Sequence, residues 1–65
     1  MAKYECGYCD KVYDEVEWNE ATQKESKGKI VPIKTAIEQQ KAEEHGYSCP
    51  ECGEYQDLIF MRQIQ

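Results

Sequence analysis

The sequence predicts a small metal-stapled α+β domain. Three observations lead to this prediction: four cysteines in two Cys-x-x-Cys pairs, a chain of only 65 residues, and a hydrophobic content of 40%. Each pair forms a turn, which we call a knuckle, that directs two thiolates to one point. Two facing knuckles make a tetrahedral sulfur site that suits Zn²⁺ or a single iron ion. The knuckles are residues 6–9 and 49–52, and the predicted metal ligands are Cys6, Cys9, Cys49 and Cys52.

The length of the chain favours such a staple. A single domain of this size, residues 1–65, has a small core that seldom holds itself together without a cross-link. Because the free energy of metal binding is also free energy of folding, the metal-free protein is expected to be largely unfolded or a molten globule. Two disulfides would be the alternative in a secreted protein. Residues 1–20 contain no apolar segment typical of a secretion signal, so reduced thiolates in a cytoplasmic protein are predicted.

The composition and the cysteine pattern disfavour several classes of function. The net charge is −5 with the cysteines counted as neutral, and an acidic chain repels the phosphate backbone of nucleic acids. No apolar run is long enough to span a membrane. Four thiolates saturate a tetrahedral ion and leave no position for substrate, so the protein is not expected to be an enzyme. We expect a monomer.

The first knuckle lies between two predicted strands, residues 3–5 and 12–13, which are rich in aromatic and β-branched side chains. Asp10 follows the first knuckle and Gly53 follows the second. Both residue types tolerate the left-handed backbone that turns N–H groups toward the sulfurs. Hydrogen bonds of that kind spread the thiolate charge and tune the metal.

The long segment between the knuckles, residues 15–46, is predicted to be an insertion. Its polar run over residues 19–29, which Gly28 punctuates, is predicted to be a loop or poorly ordered. The apolar residues 30–33 follow as an extended piece. Pro32 has no N–H donor, so this piece would lie at the edge of a sheet.

One helix is predicted in the insertion, over residues 35–45. Thr35 and Glu38 have the spacing of a capping box, and Gly46 stands where a helix commonly ends. His45 would then lie in the last turn, where a protonated imidazole interacts favourably with the helix dipole. We prefer this interpretation of His45 to a role as a metal ligand.

The end of the chain is predicted to form a hairpin around the second knuckle. Residues 46–48 lead into the knuckle, and residues 55–64 return as a strand. Residues 58–61 are apolar on both faces, so this strand would be central in the small sheet.

The two knuckles with their flanking aromatics resemble the rubredoxins and the wider rubredoxin-like and zinc-ribbon group. The resemblance covers residues 3–14 and 47–60 and rests on the patterns Tyr4-x-Cys6-x-x-Cys9-x-x-x-Tyr13-Asp14 and Tyr47-x-Cys49-Pro50-x-Cys52-Gly53. It implies a rubredoxin-like zinc ribbon of short antiparallel strands with a core of Tyr4, Tyr13, Tyr47 and Phe60. In rubredoxins the four cysteines hold one iron that carries a single electron. The chain departs from the rubredoxin pattern at Asp10, Lys11 and Tyr47 and in its helix-bearing insertion.

These observations favour a structural Zn²⁺ site in a protein-interaction or regulatory module. The alternative is an electron carrier with one Fe²⁺/Fe³⁺ ion at the same ligands. The insertion, residues 15–46, is the predicted surface for a protein partner. Trp18 has two interpretations, an anchor for that partner or a hydrophobic lid on the core.

Overall fold

Two small antiparallel sheets, each with a knuckle at one end, organise the fold. The computed structural model describes residues 2–64. In chain order its elements are β1 (Lys3–Glu5), β2 (Val12–Asp14), α1 (Glu15–Ser26), α2 (Ile33–Glu38), β3 (Gly46–Ser48), β4 (Tyr55–Asp57), a 3₁₀-helix (Leu58–Phe60) and β5 (Arg62–Gln63). The strand order is β2-β1-β5 in one sheet and β3-β4 in the other. The α+β architecture with short antiparallel strands is thus confirmed.

The strands on either side of each knuckle pair as an antiparallel hairpin, and their registers place the knuckle in the connecting turn. Tyr4 pairs with Tyr13 across β1 and β2, and the first knuckle joins these strands. Ser48 pairs with Tyr55 across β3 and β4, and the second knuckle joins them in the same way. Each Cys-x-x-Cys turn is therefore held at the tip of a hairpin.

The prediction of a loop over residues 19–29 is wrong, because most of this segment belongs to α1. Asp14 caps the helix, since its carboxylate accepts a hydrogen bond of 2.9 Å from the N–H of Glu17. Lys27 ends it in the left-handed conformation, at φ 56°, with its N–H donating to the Gln23 carbonyl. The polar composition suggested a loop, whereas the capping residue at position 14 was the informative signal.

One face of α1 fastens the two hairpins together. The indole Nε1 of Trp18 donates to the Tyr4 carbonyl of β1 at 3.1 Å. The Thr22 hydroxyl donates to the Trp18 carbonyl at 2.8 Å and accepts from the Ser48 N–H of β3 at 2.9 Å. Trp18 is 0% exposed, which supports its interpretation as part of the core and excludes it as an exposed anchor for a partner.

The second helix is shorter and earlier than predicted: it spans Ile33–Glu38 rather than residues 35–45. Thr35 lies inside the helix and cannot cap it. Gln40 adopts a left-handed conformation at φ 58°, which ends the helical run. Gly46 is the first residue of β3 and does not cap a helix.

The segment before this helix is not a strand, so the prediction of an edge strand at residues 30–33 is also wrong. Pro32 is the residue that precedes the first helical turn, and the Asn19 side chain accepts a hydrogen bond of 3.0 Å from the Ile33 N–H. His45 lies well beyond the helix, where its carbonyl accepts from Leu58 N at 2.9 Å. Its predicted place in a last helical turn is therefore incorrect.

The predicted strand over residues 55–64 is interrupted by the 3₁₀-helix. Leu58 and Met61 are buried, whereas Ile59 is 57% and Phe60 74% exposed. A 3₁₀ turn aligns residues three apart, so one side of the apolar run faces the core and the other faces solvent. The last strand, β5, lies at the edge beside β1 rather than in the centre. Phe60 is consequently not a core residue.

The insertion supplies part of the core. The buried hydrophobic cluster consists of Tyr4, Cys6, Trp18, Ile33, Ala36, Tyr47, Cys49, Leu58 and Met61. Three of its members come from α1 and α2, and Tyr13 packs against the cluster while partly buried. Among residues 2–64, no helix combines the length and the apolar character that crossing a bilayer requires.

Candidate metal centre

The four predicted ligands come together in one cluster. Their Sγ atoms all lie within 4.8 Å of one another. The Sγ atoms of Cys6 and Cys52 are 3.7 Å apart, and those of Cys9 and Cys49 are 3.6 Å apart. Four sulfurs at the Zn–S bond length in a regular tetrahedron would be separated by about 3.8 Å. The cysteines are thus positioned to bind one metal ion.

The two knuckles reach this arrangement with matching backbone turns. The Asp10 N–H donates to the Cys6 carbonyl at 3.1 Å, and the Gly53 N–H donates to the Cys49 carbonyl at 3.0 Å. Asp10 and Gly53 both have positive φ, 63° and 76°. The left-handed residue after each second cysteine is therefore present, as the sequence predicts.

Backbone N–H groups point at the sulfur of the first cysteine in each knuckle. The N–H of Tyr8 donates to Cys6 Sγ at 3.3 Å. The N–H groups of Glu51 and Cys52 donate to Cys49 Sγ at 3.3 and 3.5 Å. These donors stabilise negative charge on the sulfurs, which a thiolate ligand requires.

Gln56 is a functional residue that the sequence analysis missed. Its Nε2 donates to Cys6 Sγ at 3.3 Å, and its Oε1 accepts from Gly7 N at 3.0 Å. The side chain is only 7% exposed, although it is polar and lies on a short strand between more exposed neighbours. No spacing signal connects a glutamine to a cysteine 50 positions away, so only the tertiary structure identifies this contact.

The cluster has a buried side and an open side. Cys6 and Cys49 are buried, Cys9 is half-buried and Cys52 is exposed. Burial raises the pKa of Cys6, but hydrogen bonds from the Gln56 amide and nearby backbone N–H groups outweigh it and lower the pKa to about 6. At Cys52 the Glu54 N–H lowers the pKa, whereas desolvation and the neighbouring thiols raise it to about 12.

These opposite pKa shifts describe thiols that compete for ionisation. Without a cation, a thiolate at Cys6 disfavours a second negative charge at Cys52. A bound cation stabilises all four thiolates together, and sulfur donors suit Zn²⁺ or a mononuclear iron. The donor set therefore fits one such ion, and His45 is not part of the cluster.

A further contact links the hairpins beside the cluster. The Tyr13 hydroxyl donates to Glu51 Oε2 at 3.1 Å and so connects β2 with the second knuckle. Burial, followed by the hydrogen bond and charge of Glu51, raises the pKa of Tyr13 to about 12. The phenol is a donor at neutral pH, and the raised pKa extends this state to more alkaline pH.

Comparison with known proteins adds no family to this picture. No protein-family model matches the chain, and neither a curated protein nor a solved structure shows significant similarity to it. The resemblance to rubredoxins and zinc ribbons therefore rests on the two knuckles and their flanking aromatics alone.

Proposed function

We propose that this chain is a small zinc-binding protein in which a four-thiolate site serves folding and the folded domain binds another protein. The observation that supports the proposal is the position of the cluster between the two hairpins. The closest sulfur pairs, Cys6 with Cys52 and Cys9 with Cys49, each join a residue of the first knuckle to one of the second. An ion at this place would cross-link both sheets.

The strands explain why a cross-link would matter. Strands β1 to β4 have three residues each, and the sheets have three and two strands. Hairpins of this size are marginally stable in water when they stand alone. A structural zinc ion contributes its binding free energy to folding, and four sulfur ligands leave it no open position for catalysis.

The exposed apolar side chains favour a protein partner. Several large hydrophobic residues are exposed: Tyr8, Val12, Val16, Ile37, Tyr55, Ile59, Phe60 and Ile64. Since Trp18 is buried, the partner surface predicted on the insertion has lost its main anchor. The exposed aromatics lie instead at the first knuckle, on β4 and in the 3₁₀-helix, and such groups commonly mark interaction sites.

Zinc removal tests the structural role. The purified protein is assayed for zinc content, and its ¹H–¹⁵N spectrum is recorded before and after chelation. We expect one zinc per chain, loss of dispersed amide signals on chelation, and recovery when zinc is added back. A metal-free protein with an unchanged spectrum would contradict a role in folding.

A second candidate function is electron transfer by one iron at the same four cysteines. The open side of the cluster favours it, because the exposed Cys52 would bring the ion close to the surface where a redox partner docks. Anaerobic reconstitution with Fe²⁺ followed by voltammetry tests this candidate. A reversible one-electron couple is expected if it is right, and an iron-loaded protein that does not cycle would eliminate it.

A further inference from the structure

We propose that a groove beside the first knuckle binds an arginine side chain presented by a partner protein. The groove has a volume of about 480 Å³ and is lined by Gly7, Tyr8, Tyr55, Gln56, Asp57 and Phe60. We call it the aromatic groove. The inference rests on the proposed interaction function and names its surface and the chemistry of its partner.

The exposed aromatic rings of the groove are the first observation that favours a guanidinium ligand. Tyr8 is 65% exposed and Phe60 is 74% exposed, so both present most of their aromatic surface to solvent. Neither side chain is needed to fill the core, as both lie outside the buried cluster. A guanidinium group stacks on aromatic faces and is less strongly hydrated than an ammonium group, so it suits such a surface.

Charge complementarity selects a cation over a neutral apolar segment. Among the described residues that line the groove, Asp57 is the one with a charged side chain, and its charge is negative. The chain as a whole has a net charge of −5. A carboxylate forms two parallel hydrogen bonds with a guanidinium, and the acidic field of the protein attracts a basic segment. Arginine therefore satisfies the rings and the carboxylate at once.

The floor of the groove connects it to the metal centre. Gln56 lines the groove, yet its two polar ends are engaged with Cys6 Sγ and Gly7 N. Because both ends of Gln56 are engaged within the protein, we expect selectivity to come from the rings and Asp57. A ligand held there also lies one side chain away from a metal-binding sulfur.

The test is an NMR titration of the ¹⁵N-labelled, zinc-loaded protein with an acetylated peptide of alternating arginine and glycine. Two control peptides replace arginine by citrulline, which has nearly the same shape without charge, or by lysine. We expect saturable shifts at Gly7, Tyr8, Gln56 and Phe60, with the arginine peptide bound at least tenfold more tightly than the citrulline peptide. Lysine is expected to fall between them.

Matched variants assign the binding to the groove. Phe60→Ser should weaken arginine-peptide binding about fivefold, the effect of losing one cation–π contact, and Asp57→Asn should weaken it similarly. Ile59→Ser changes a neighbouring exposed hydrophobic residue that does not line the groove, and should leave binding unchanged. Binding is compared only among variants whose amide spectra match that of the unsubstituted protein, so that each variant is known to be folded.

Several outcomes would overturn the proposal. The first is equal affinity for the arginine and citrulline peptides. The second is equal affinity for the arginine and lysine peptides, with shifts spread over all acidic surfaces. The third is an equal loss of arginine-peptide affinity in the Phe60 and Ile59 variants. Concentration-dependent self-association through the groove would also overturn it, since the occupant would then be a second copy. The chelation experiment fails or succeeds independently, because it measures folding and the titration measures recognition by folded, zinc-loaded protein.

Discussion

The two knuckles form turns of the same backbone design but obtain their support differently. In the first, Cys6 receives hydrogen bonds from the Tyr8 N–H and from the Gln56 side chain. In the second, Cys49 receives backbone donors from its own turn. The Cys6 sulfur thus receives one of its donors from a distant residue, whereas the donors to the Cys49 sulfur come from its own turn.

The difference extends to the residue with positive φ. The second knuckle uses Gly53, for which this conformation carries no steric penalty, and Pro50 restricts the same turn. The first uses Asp10, which adopts φ 63° against its preference. The turn with the less suitable residue is thus the one in which a distant side chain donates to the first sulfur.

Removing one ligand from each knuckle should have the largest effect. Cys6→Ser and Cys52→Ser are each expected to weaken zinc binding by about 100-fold or more, since one of four ligands carries a large share of the binding free energy. Cys6 is buried and Cys52 is exposed, so only the second vacancy is readily filled by water. Unfolding in excess zinc should therefore show Cys6→Ser as clearly the less stable protein, and equal midpoints would contradict this ranking.

Breaking the hydrogen bond between α1 and the second hairpin should have the next largest effect on stability. Thr22→Val removes the acceptor of the Ser48 N–H, which lies beside Cys49, and leaves a buried donor without a partner. We expect a loss of about 2 kcal/mol in the free energy of unfolding of the zinc-loaded protein. Thr22→Ser keeps the hydroxyl and is the matched control. Similar losses in both variants would point to packing rather than to the hydrogen bond.

Gln56 provides the direct test of unequal support. Gln56→Leu removes the donor to Cys6 Sγ and the acceptor of the Gly7 N–H. Zinc affinity should fall about tenfold, as for other residues that support a metal ligand without touching the metal. Gln56→Glu keeps an acceptor for Gly7 but places a negative charge against a thiolate, and should lower the affinity further. Competition against a chromophoric chelator measures the zinc affinity of both variants. An affinity unchanged by Gln56→Leu would contradict a supporting role of Gln56 at the first knuckle.

The same asymmetry explains how much the sequence could predict. The cysteine pairs, the hairpins around them and the positive φ of Asp10 and Gly53 depend on neighbours a few positions away, so spacing and turn chemistry sufficed to predict them. The support from Gln56 spans 50 positions and leaves no local signature. The sequence also supplied no indication that the aromatic of Phe60 would face solvent.

The helices show a second reason for failure. The cap of α1 at Asp14 is a local signal, but the polar composition of residues 19–29 outweighed it in the prediction. For α2, the capping box at Thr35 and Glu38 was a false signal, because packing of Ile33 and Ala36 into the core sets where the helix lies. Short apolar runs such as residues 58–61 fit a strand and a 3₁₀-helix equally well until the core is known.

The smallest effects should appear at Asp10 and Gly53, the positive-φ residues that follow the two knuckles, and the two effects should have opposite signs. Asp10→Gly relieves the left-handed strain of the first knuckle and should raise the free energy of unfolding of the zinc-loaded protein by about 0.5 kcal/mol, since added freedom in the unfolded chain offsets part of the gain. Gly53→Ala introduces the same backbone strain in the second knuckle and should lower the free energy of unfolding by about 1 kcal/mol.

The Gly53 substitution measures the backbone strain alone, because an added Cβ would meet no atom within 4 Å apart from its chain neighbours. Chemical denaturation of the zinc-loaded variants measures both changes, and Gly28→Ala serves as a control at a glycine without positive φ. If Asp10→Gly destabilises the protein, the Asp10 side chain must hold the first knuckle in a way that outweighs its backbone strain. The first knuckle would then have local support of its own, and its dependence on Gln56 would be smaller than the structure implies.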